Sequence, residues 1–262
     1  MRSISSSILD DKKQNGIGII PFVTSGFPNI SLSKDIILNL LDEKLCSAVE
    51  VGIPFSDPIA EGKTIQKSSS VALKNGITID NTLKMISDIN DNNSNKTPIV
   101  SMGYYNPIFK MGLDNFFSSC KDAGVSGVII ADIPNIELEN IQETANNYNV
   151  ETIPLVPLNS SEDTVNHANK IGQGFIYCVS VLGITGTREK LSKNLNAKVN
   201  QVKESSKIPV AVGFGISKKD HIKELKNYAD AAVIGSAIID VISNSEKKEI
   251  VNVVNFIKGL LE

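Results

Sequence analysis

An eight-stranded (β/α)8 barrel, the TIM-barrel fold class, is the architecture that this sequence of 262 residues predicts. Eight short apolar runs recur along the chain, amphipathic segments separate them, and the length suits one large core. A doubly wound sheet is the alternative, but it seldom contains eight evenly repeated units. We therefore expect residues 1–262 to form a single barrel domain with an extra N-terminal helix before the first strand.

The predicted strands are mostly continuous in apolar residues, as expected of strands that are buried on both faces. In chain order, they are IGIIPFVT (Ile17–Thr24), SAVEVGI (Ser47–Ile53), TPIVSMGY (Thr97–Tyr104), SGVIIADI (Ser126–Ile133), ETIPLV (Glu151–Val156), GFIYCVS (Gly174–Ser180), IPVAVGFG (Ile208–Gly215) and AAVIGSA (Ala231–Ala237).

The segments between these strands have helical periodicity and recognisable end signals. In the segment from 31 to 44, one helix face carries the apolar residues Ile36, Ile37, Leu40 and Leu41. Ser31 or Ser33 is the predicted N-cap of that helix, and Ser217 is the predicted N-cap of a later one. Gly124 follows another helical segment and is a candidate C′ glycine.

Charge and composition exclude several classes of protein. The net charge of -3 and the pI near 5.6 argue against a nucleic-acid binder, and the absence of Trp argues against a stacking platform for bases. No apolar run is long enough to span a bilayer, and the N-terminus lacks the apolar stretch of a signal peptide. The Asn-rich stretch 88–96 is interpreted as a solvated helix end and loop.

Metal and nucleotide motifs are also missing from the sequence. The three cysteines are far apart and are interpreted as reduced core thiols: Cys46, Cys120 and Cys178. His167 and His221 are isolated, so a zinc site is not expected. EGKT fails as a P-loop because Asp57 stands where the first glycine is required, and GFGISK has Lys218 in place of a third glycine. Nothing therefore supports ATP or NAD as a cofactor.

Glu50 is an ionisable residue inside the second apolar run, near the strand end where barrels place their chemistry. If Val49 and Val51 face the helices, alternation turns Glu50 into the barrel mouth. A carboxyl group in a largely apolar mouth has a raised pKa, which suits proton transfer near neutrality. The structural alternative is a Glu paired with a buried base, but no Lys or Arg occupies an inner strand position.

Three glycine-rich loops follow the last three predicted strands, at Leu182–Arg188, Gly213–Ser217 and Ile234–Ile238. Glycine lets a backbone approach a phosphate closely, and a helix that begins near Ser236 would offer free N–H groups. Barrels often bind phosphate at these loops. The alternative is that the glycines serve tight turns only, but three such loops in succession favour a phosphate site.

Six blocks of the chain resemble the tryptophan synthase α chain family in order and spacing. They are PFVTSGFP, EVGIPFSDPIAEGKTIQ, ADIP, SVLGITGTR, GFGIS and GSAI. The resemblance extends from about Ile17 to the C-terminal segment, and the block around Glu50 is the most specific. It implies a lyase that cleaves indole-3-glycerol phosphate by a retro-aldol reaction to indole and glyceraldehyde 3-phosphate, without a cofactor of its own.

The resemblance also implies roles for two acids. The family's catalytic Glu falls on Glu50, which would take the proton of the glycerol hydroxyl and move a proton to C3 of the indole. The family's second acid, normally Asp, falls on Glu61, which would accept a hydrogen bond from the indole N–H. Lys63 stands where the family usually has Pro, and an ion pair with Glu61 would turn that carboxylate away from the substrate.

The remaining substrate-binding residues carry over by motif. The resemblance implies an apolar pocket for the indole ring, although each member is equally well explained as barrel core: Phe22, Tyr104, Ile129, Ala131, Leu155 and Tyr177. Thr185 and Gly186 fall in the family's mobile loop, where the Thr contacts the catalytic acid. The implied phosphate site is formed largely by backbone N–H groups of Gly186, Gly213, Phe214, Gly215, Gly235 and Ser236. Arg188 is a candidate cationic contact.

The resemblance implies a partner, a β subunit that carries pyridoxal phosphate, in an α2β2 tetramer. Its contact surface would include Asp57–Pro58 and Tyr104–Phe109. The expected location is the cytoplasm, or the plastid stroma if an organelle genome encodes the chain. One alternative function is a non-catalytic homologue that activates the β subunit. Another is a sugar-phosphate isomerase or epimerase, which would need His, Lys or metal ligands at the strand ends.

Overall fold

The computed structural model describes residues 3–179, 194–213 and 215–262. Its strands are short and parallel. In chain order, they are β1 (Gly18–Thr24), β2 (Val49–Gly52), β3 (Ile99–Gly103), β4 (Gly127–Ile130), β5 (Glu151–Thr152), β6 (Leu155–Pro157), β7 (Ile176–Val179), β8 (Val210–Gly213) and β9 (Ala231–Ile234). Most of them are buried, whereas β5 and β6 are only partly buried.

The strand order is β5-β4-β3-β2-β1-β9-β8-β7-β6, and its two ends belong to one continuous stretch of chain. β5 and β6 are separated only by Ile153 and Pro154. The Ile153 N–H donates to Val128 O of β4 at 3.0 Å, and Pro154 O accepts the Tyr177 N–H of β7 at 3.0 Å. β5 and β6 together form the fifth barrel strand, which is interrupted because Pro154 has no N–H. This strand still pairs with β4 on one side and with β7 on the other, and so closes the barrel. The predicted eight-stranded barrel is confirmed.

Two apolar layers form the core. The inner layer, enclosed by the strands, contains Ile20, Ala48, Val100, Ile129, Phe175 and Ala211. The outer layer lies between strands and helices and includes Val49 and Val51, together with helix residues such as Ile36 and Leu40. Ala48, directly before β2, is in the inner layer, whereas Val49 and Val51 are in the outer layer, as the period of two requires.

Helices follow the strands and form the outside of the barrel. In the described residues, they are α1 (Ile4–Asn15), α2 (Ile30–Asp42), α3 (Lys63–Lys74), α4 (Ile79–Asn92), α5 (Tyr105–Met111), α6 (Leu113–Ala123), α7 (Asn135–Asn147), α8 (Glu162–Ile171), α9 (Leu195–Ser205), α10 (Lys219–Leu225), α11 (Ser236–Ser243) and α12 (Glu249–Leu261). The extra N-terminal helix is α1. Its Ile4 and Ile8 belong to the inner layer, so α1 closes the end of the barrel where the strands begin.

Two of the predicted helix caps are wrong, and one is confirmed. Asn29 is the N-cap of α2 and accepts the Leu32 N–H at 2.9 Å. Ser33 is buried instead, and its Oγ accepts the Gly26 N–H at 3.0 Å. α10 begins two residues after Ser217, without a side-chain cap. Gly124 does end α6 in the left-handed conformation, with φ 74°.

Asp230 ties several elements together at the closed end of the barrel. Its carboxylate contacts the Lys12 and Lys203 ammonium groups and accepts the Val210 N–H at 2.8 Å. Burial alone would raise the pKa of Asp230, but the hydrogen bonds from Lys12, Val210 and Lys203 outweigh it and hold the pKa below its usual value. Asp230 therefore links α1, α9 and β8 to the start of β9.

Replacing Asp230 with Ala should destabilise the fold by about 2 kcal/mol, because it leaves the Val210 N–H without its acceptor and two lysines without their anion. Urea unfolding followed by circular dichroism measures the loss. The matched control is Glu43→Ala, which breaks an exposed ion pair with Lys258 at 2.7 Å and should cost less than about 1 kcal/mol. Equal losses in the two variants would contradict a structural role for the Asp230 network.

Candidate active site

A cavity of about 500 Å³, counting the space at its mouth, lies at the carboxyl ends of the strands. This end of a barrel is the usual place for a small-molecule site. The cavity combines two acids, apolar side chains and backbone at glycines. The lining residues are Phe22, Glu50, Glu61, Ile65, Met102, Tyr177, Gly213, Gly215, Ile216, Val233, Gly235 and Ser236.

Glu50 projects from β2 into this cavity. It pairs in register with Phe22 of β1 and Val100 of β3. The residue is 1% exposed, and its Oε2 has no hydrogen-bond partner within the described part of the chain. Burial raises the pKa of Glu50 to about 8, and the negative charge of Glu61 contributes further to the rise. A buried acceptor without a partner is costly, so its persistence here marks a site adapted to a ligand or to proton transfer.

Glu61 enters the same cavity from the loop between β2 and α3. Its N–H donates to Pro58 O at 3.0 Å, and its carbonyl accepts from Gln66 Nε2 at 2.8 Å, which fixes the backbone on both sides of the side chain. Glu61 is 6% exposed, and burial raises its pKa to about 7. Among the residues that the structure describes, Glu61 and Lys63 do not form the expected ion pair. Lys63 is the first residue of α3 and is exposed, whereas the Glu61 side chain is buried.

Two glycines let aromatic rings reach the cavity. A Cβ on Gly52 would lie 2.5 Å from Phe22 Cζ, and a Cβ on Gly213 would lie 2.4 Å from Tyr177 Oη. Neither contact is tolerable for a real side chain, so both positions require glycine for the rings to lie where they do. Burial, and then the charges of Glu50 and Glu61, raise the pKa of the Tyr177 hydroxyl, which stays protonated beside the two acids.

The glycine-containing part of the cavity lining is suited to an anion. Gly213 ends β8, Gly215 follows it, and Gly235 precedes α11. Ser236 is the first residue of α11, so the N–H groups of the first helical turn open toward this part of the lining. Helix N-termini carry a partial positive charge and bind phosphate through backbone N–H groups. No Lys or Arg occurs among the described lining residues.

Only some of the predicted site residues line the cavity that contains Glu50 and Glu61. Phe22, Tyr177, Gly213, Gly215, Gly235 and Ser236 share the cavity with both acids. Ala131 and Leu155 line a neighbouring cavity with Ile59, because they follow or belong to strands on the other side of the barrel. Ile129 is part of the fully buried inner layer, and Tyr104 packs against the loop that carries Glu61. Thr185, Gly186, Arg188 and Phe214 lie outside the described residues.

Four lining residues were not predicted from the sequence: Ile65, Met102, Ile216 and Val233. Met102 lies two residues after Val100 of the inner layer, so alternation along β3 could have identified it. Val233 follows the inner-layer Ala231 in the same way. Ile65 comes from α3, and no local signal in the sequence turns this helix residue toward the cavity.

Residues 3–179, 194–213 and 215–262 contain neither a metal-ligand cluster nor a membrane-spanning helix. Within these ranges, no three His, Cys, Asp or Glu side chains are grouped closely enough to hold a metal ion. None of the helices in this part of the chain combines the length and the hydrophobicity needed to cross a bilayer.

Comparisons with known proteins agree on one family. The family model for the tryptophan synthase alpha chain matches residues 8–259. The chain is 38% identical to the tryptophan synthase alpha chain of Prochlorococcus marinus over 96% of this chain and 90% of that protein. It is 34% identical to the protein of that name from Arabidopsis thaliana, over 91% and 86% of the two chains.

The solved structures give the same result. A chain from the tryptophan synthase α2β2 complex of the hyperthermophile Pyrococcus furiosus superposes with a TM-score of 0.87 at 34% identity. The match covers 94% of this chain and 98% of that one. The family model spans nearly the whole sequence, and both the sequence relatives and the solved structure are more than 30% identical to this chain. The chain therefore belongs to the tryptophan synthase alpha chain family.

Proposed function

We propose that this chain cleaves indole-3-glycerol phosphate to indole and glyceraldehyde 3-phosphate, as the α subunit of a tryptophan synthase. The observation that carries the proposal is the pairing of two buried carboxyl groups, Glu50 and Glu61, in one cavity. The glycine turns and the start of α11 line the same cavity. Acid–base groups and an anion site in one cavity match a substrate with a reactive ring and a phosphate.

The two acids have different proposed roles because they share one cavity, where two neighbouring negative charges are unfavourable. The pKa is about 7 for Glu61 and about 8 for Glu50. We assign the negative charge to Glu61, because a charge there adds to the effect of burial on the pKa of Glu50 and so keeps Glu50 protonated. Glu50 is then a proton donor, and Glu61 is a carboxylate that stabilises a positive charge.

In the proposed reaction, Glu50 gives its proton to C3 of the indole, and the positive charge that forms on the ring nitrogen is stabilised by Glu61. The bond between C3 and the glycerol chain then breaks, and its electron pair returns to the ring. The hydroxyl on the adjacent glycerol carbon becomes the aldehyde, and its proton passes to the Glu50 carboxylate. Glu50 ends as it began, and no cofactor is consumed.

The chemistry of the cavity lining indicates where each part of the substrate binds. We assign the phosphate to the backbone N–H groups at Gly213, Gly215, Gly235 and Ser236, where the helix dipole favours an anion. The indole ring is assigned to the apolar wall of Phe22, Ile65, Met102 and Tyr177. Thr185, Gly186 and Phe214 remain proposed contacts from the family resemblance. The same resemblance supports Ile129, Ala131, Leu155 and Tyr104 as further pocket residues.

The proposed partner is a tryptophan synthase β chain that carries pyridoxal phosphate, in an α2β2 tetramer. Exposed apolar side chains near the carboxyl ends of the strands support this: Ile59 is 61% exposed, Phe109 63% and Ile136 61%. We assign these three side chains to the surface that contacts the β chain. The proposed location is the cytoplasm, or the plastid stroma for a chain encoded in an organelle.

The test is the rate of glyceraldehyde 3-phosphate release from indole-3-glycerol phosphate, measured with a β chain present and coupled to a dehydrogenase. We expect sustained release of glyceraldehyde 3-phosphate when this chain is present and none from the β chain alone. A chain that accelerates the β reaction on added indole, but releases no glyceraldehyde 3-phosphate, would instead be a non-catalytic activator. A chain that neither releases glyceraldehyde 3-phosphate nor accelerates the β reaction would contradict both functions.

A further inference from the structure

Tyr104 lies at the end of β3, beside the loop that carries Glu61. It is 5% exposed, yet it does not line the cavity of Glu50 and Glu61. Its ring stacks on Phe55, with centroids 4.8 Å apart and an interplanar angle of 19°. Its hydroxyl oxygen accepts the N–H of Ala60 at 3.1 Å. Both partners belong to the loop between β2 and α3, and Ala60 directly precedes Glu61.

The loop needs such an attachment in its middle. It is anchored at its start, where the Ile53 N–H donates to Met102 O at 2.8 Å, and at its end by the contact of Gln66 with the Glu61 carbonyl. Between these points, Ser56, Asp57 and Ile59 are exposed. Exposed loop residues with few packed neighbours open easily, so the rigidity of this loop depends on its contacts with the barrel.

We propose that Tyr104 is a positioning residue for Glu61: it fixes the loop through Phe55 and the Ala60 N–H, and so aims the Glu61 carboxylate into the cavity. The proposal rests on the proposed function, because it assigns Tyr104 to the alignment of a group that acts on the substrate. It differs from the expectation that Tyr104 touches the indole ring.

The electrostatics of the site agree with this arrangement. Burial, followed by the negative charge of Glu61, raises the pKa of the Tyr104 hydroxyl, so the two side chains are close enough to interact. A neutral hydroxyl accepts the Ala60 N–H at any pH near neutrality. The attachment is therefore independent of the titration of the two acids. A loop shift of roughly an ångström would cost about a hundredfold in rate when it misplaces a catalytic group.

The first experiment is a double-mutant cycle with Tyr104→Phe and Glu61→Gln in the αβ complex. Tyr104→Phe should lower kcat about tenfold, since the ring still stacks on Phe55 but the Ala60 N–H loses its acceptor. In the Glu61→Gln background, the same change should cause no further loss, because Tyr104 acts only through Glu61. Losses that multiply in the double variant would overturn the proposal and indicate direct contact with substrate.

The second experiment does not depend on activity. Hydrogen exchange at the Ala60 amide should become at least about tenfold faster in Tyr104→Phe, because its hydrogen bond is gone. The control is Tyr228→Phe, which removes a hydroxyl that contacts Glu224 in α10, far along the chain from this loop. It should leave Ala60 exchange and kcat unchanged. Unchanged exchange in Tyr104→Phe would overturn the proposal, even if the chain proved to be inactive for other reasons.

Discussion

Glu50→Gln is expected to lower the rate of glyceraldehyde 3-phosphate release by roughly a thousandfold or more. The amide has nearly the same shape as the protonated acid, so the cavity keeps its form, but it neither gives a proton to C3 nor accepts one from the glycerol hydroxyl. The loss should appear mainly in kcat. Phosphate and ring contacts made by the other walls remain, so KM should change little.

The measurement compares wild type and Glu50→Gln at saturating substrate with the β chain present, after circular dichroism has shown that both are folded. The matched control is Glu139→Gln, a carboxylate-to-amide change on α7 at a side chain that contacts Lys170 at 2.9 Å. It should retain full activity. A Glu50→Gln chain with a tenth of the wild-type rate would exclude Glu50 as the proton-transfer group.

The second expected result concerns stability: Glu50→Gln should stabilise the fold at pH 8.5 by on the order of 4 kcal/mol. The pKa of Glu50 is about 8 in the folded chain, and an unfolded Glu has a pKa near 4.3. Each unit of difference corresponds to roughly 1.4 kcal/mol. The gain should raise the midpoint of thermal unfolding by about 8 °C.

The sign follows from proton binding. Between about pH 4.3 and 8, the folded chain holds the Glu50 proton, whereas the unfolded chain has released it. The free energy of unfolding therefore falls as the pH rises through this window, and Gln removes that fall. The advantage of the variant should be below about 1 kcal/mol at pH 5 and largest above pH 8.

Urea unfolding at pH 5, 7 and 8.5 tests the pH dependence directly. The informative quantity is how the difference in unfolding free energy between Glu50→Gln and wild type changes with pH. Its value at a single pH also includes the cost of burying an amide that needs hydrogen-bond partners of its own. Glu139→Gln again serves as the control, because contact with Lys170 lowers the pKa of Glu139 rather than raising it. A difference between Glu50→Gln and wild type that is constant from pH 5 to 8.5 would contradict a raised pKa at Glu50.

Much of the site could be read from the sequence because strand alternation is a local rule. Val49 and Val51 predicted the direction of Glu50, and the outer layer contains both valines while Glu50 faces the cavity. The start of a helix at Ser236 was likewise visible from the glycine turn before it. These features depend on a few neighbouring residues, whose backbone geometry is set by hydrophobic pattern and by glycine.

Other features needed the assembled barrel. The Asn-rich stretch 88–96 was predicted to be a solvated helix end and loop, and α4 does end within it, at Asn92. The Asn90 amide is not simply solvated, however: it donates to Ala123 O at 2.8 Å and to Gly124 O at 3.0 Å, at the end of α6. Asn93 is buried and bonded to Thr97. No local pattern distinguishes the Asn90 amide from a solvated one, because its partners at the end of α6 are brought near only by packing.

The sequence by itself determined the fold class, the family and the inward direction of Glu50, since these rest on periodicity and on motifs that are read along the chain. Only the tertiary structure decided which strand ends share a cavity: it grouped Phe22 and Tyr177 with both acids and set Ala131 and Leu155 in a neighbouring one. Closure through the strand interrupted at Pro154 fixes these neighbours, and they contact one another only after residues far apart in sequence have paired.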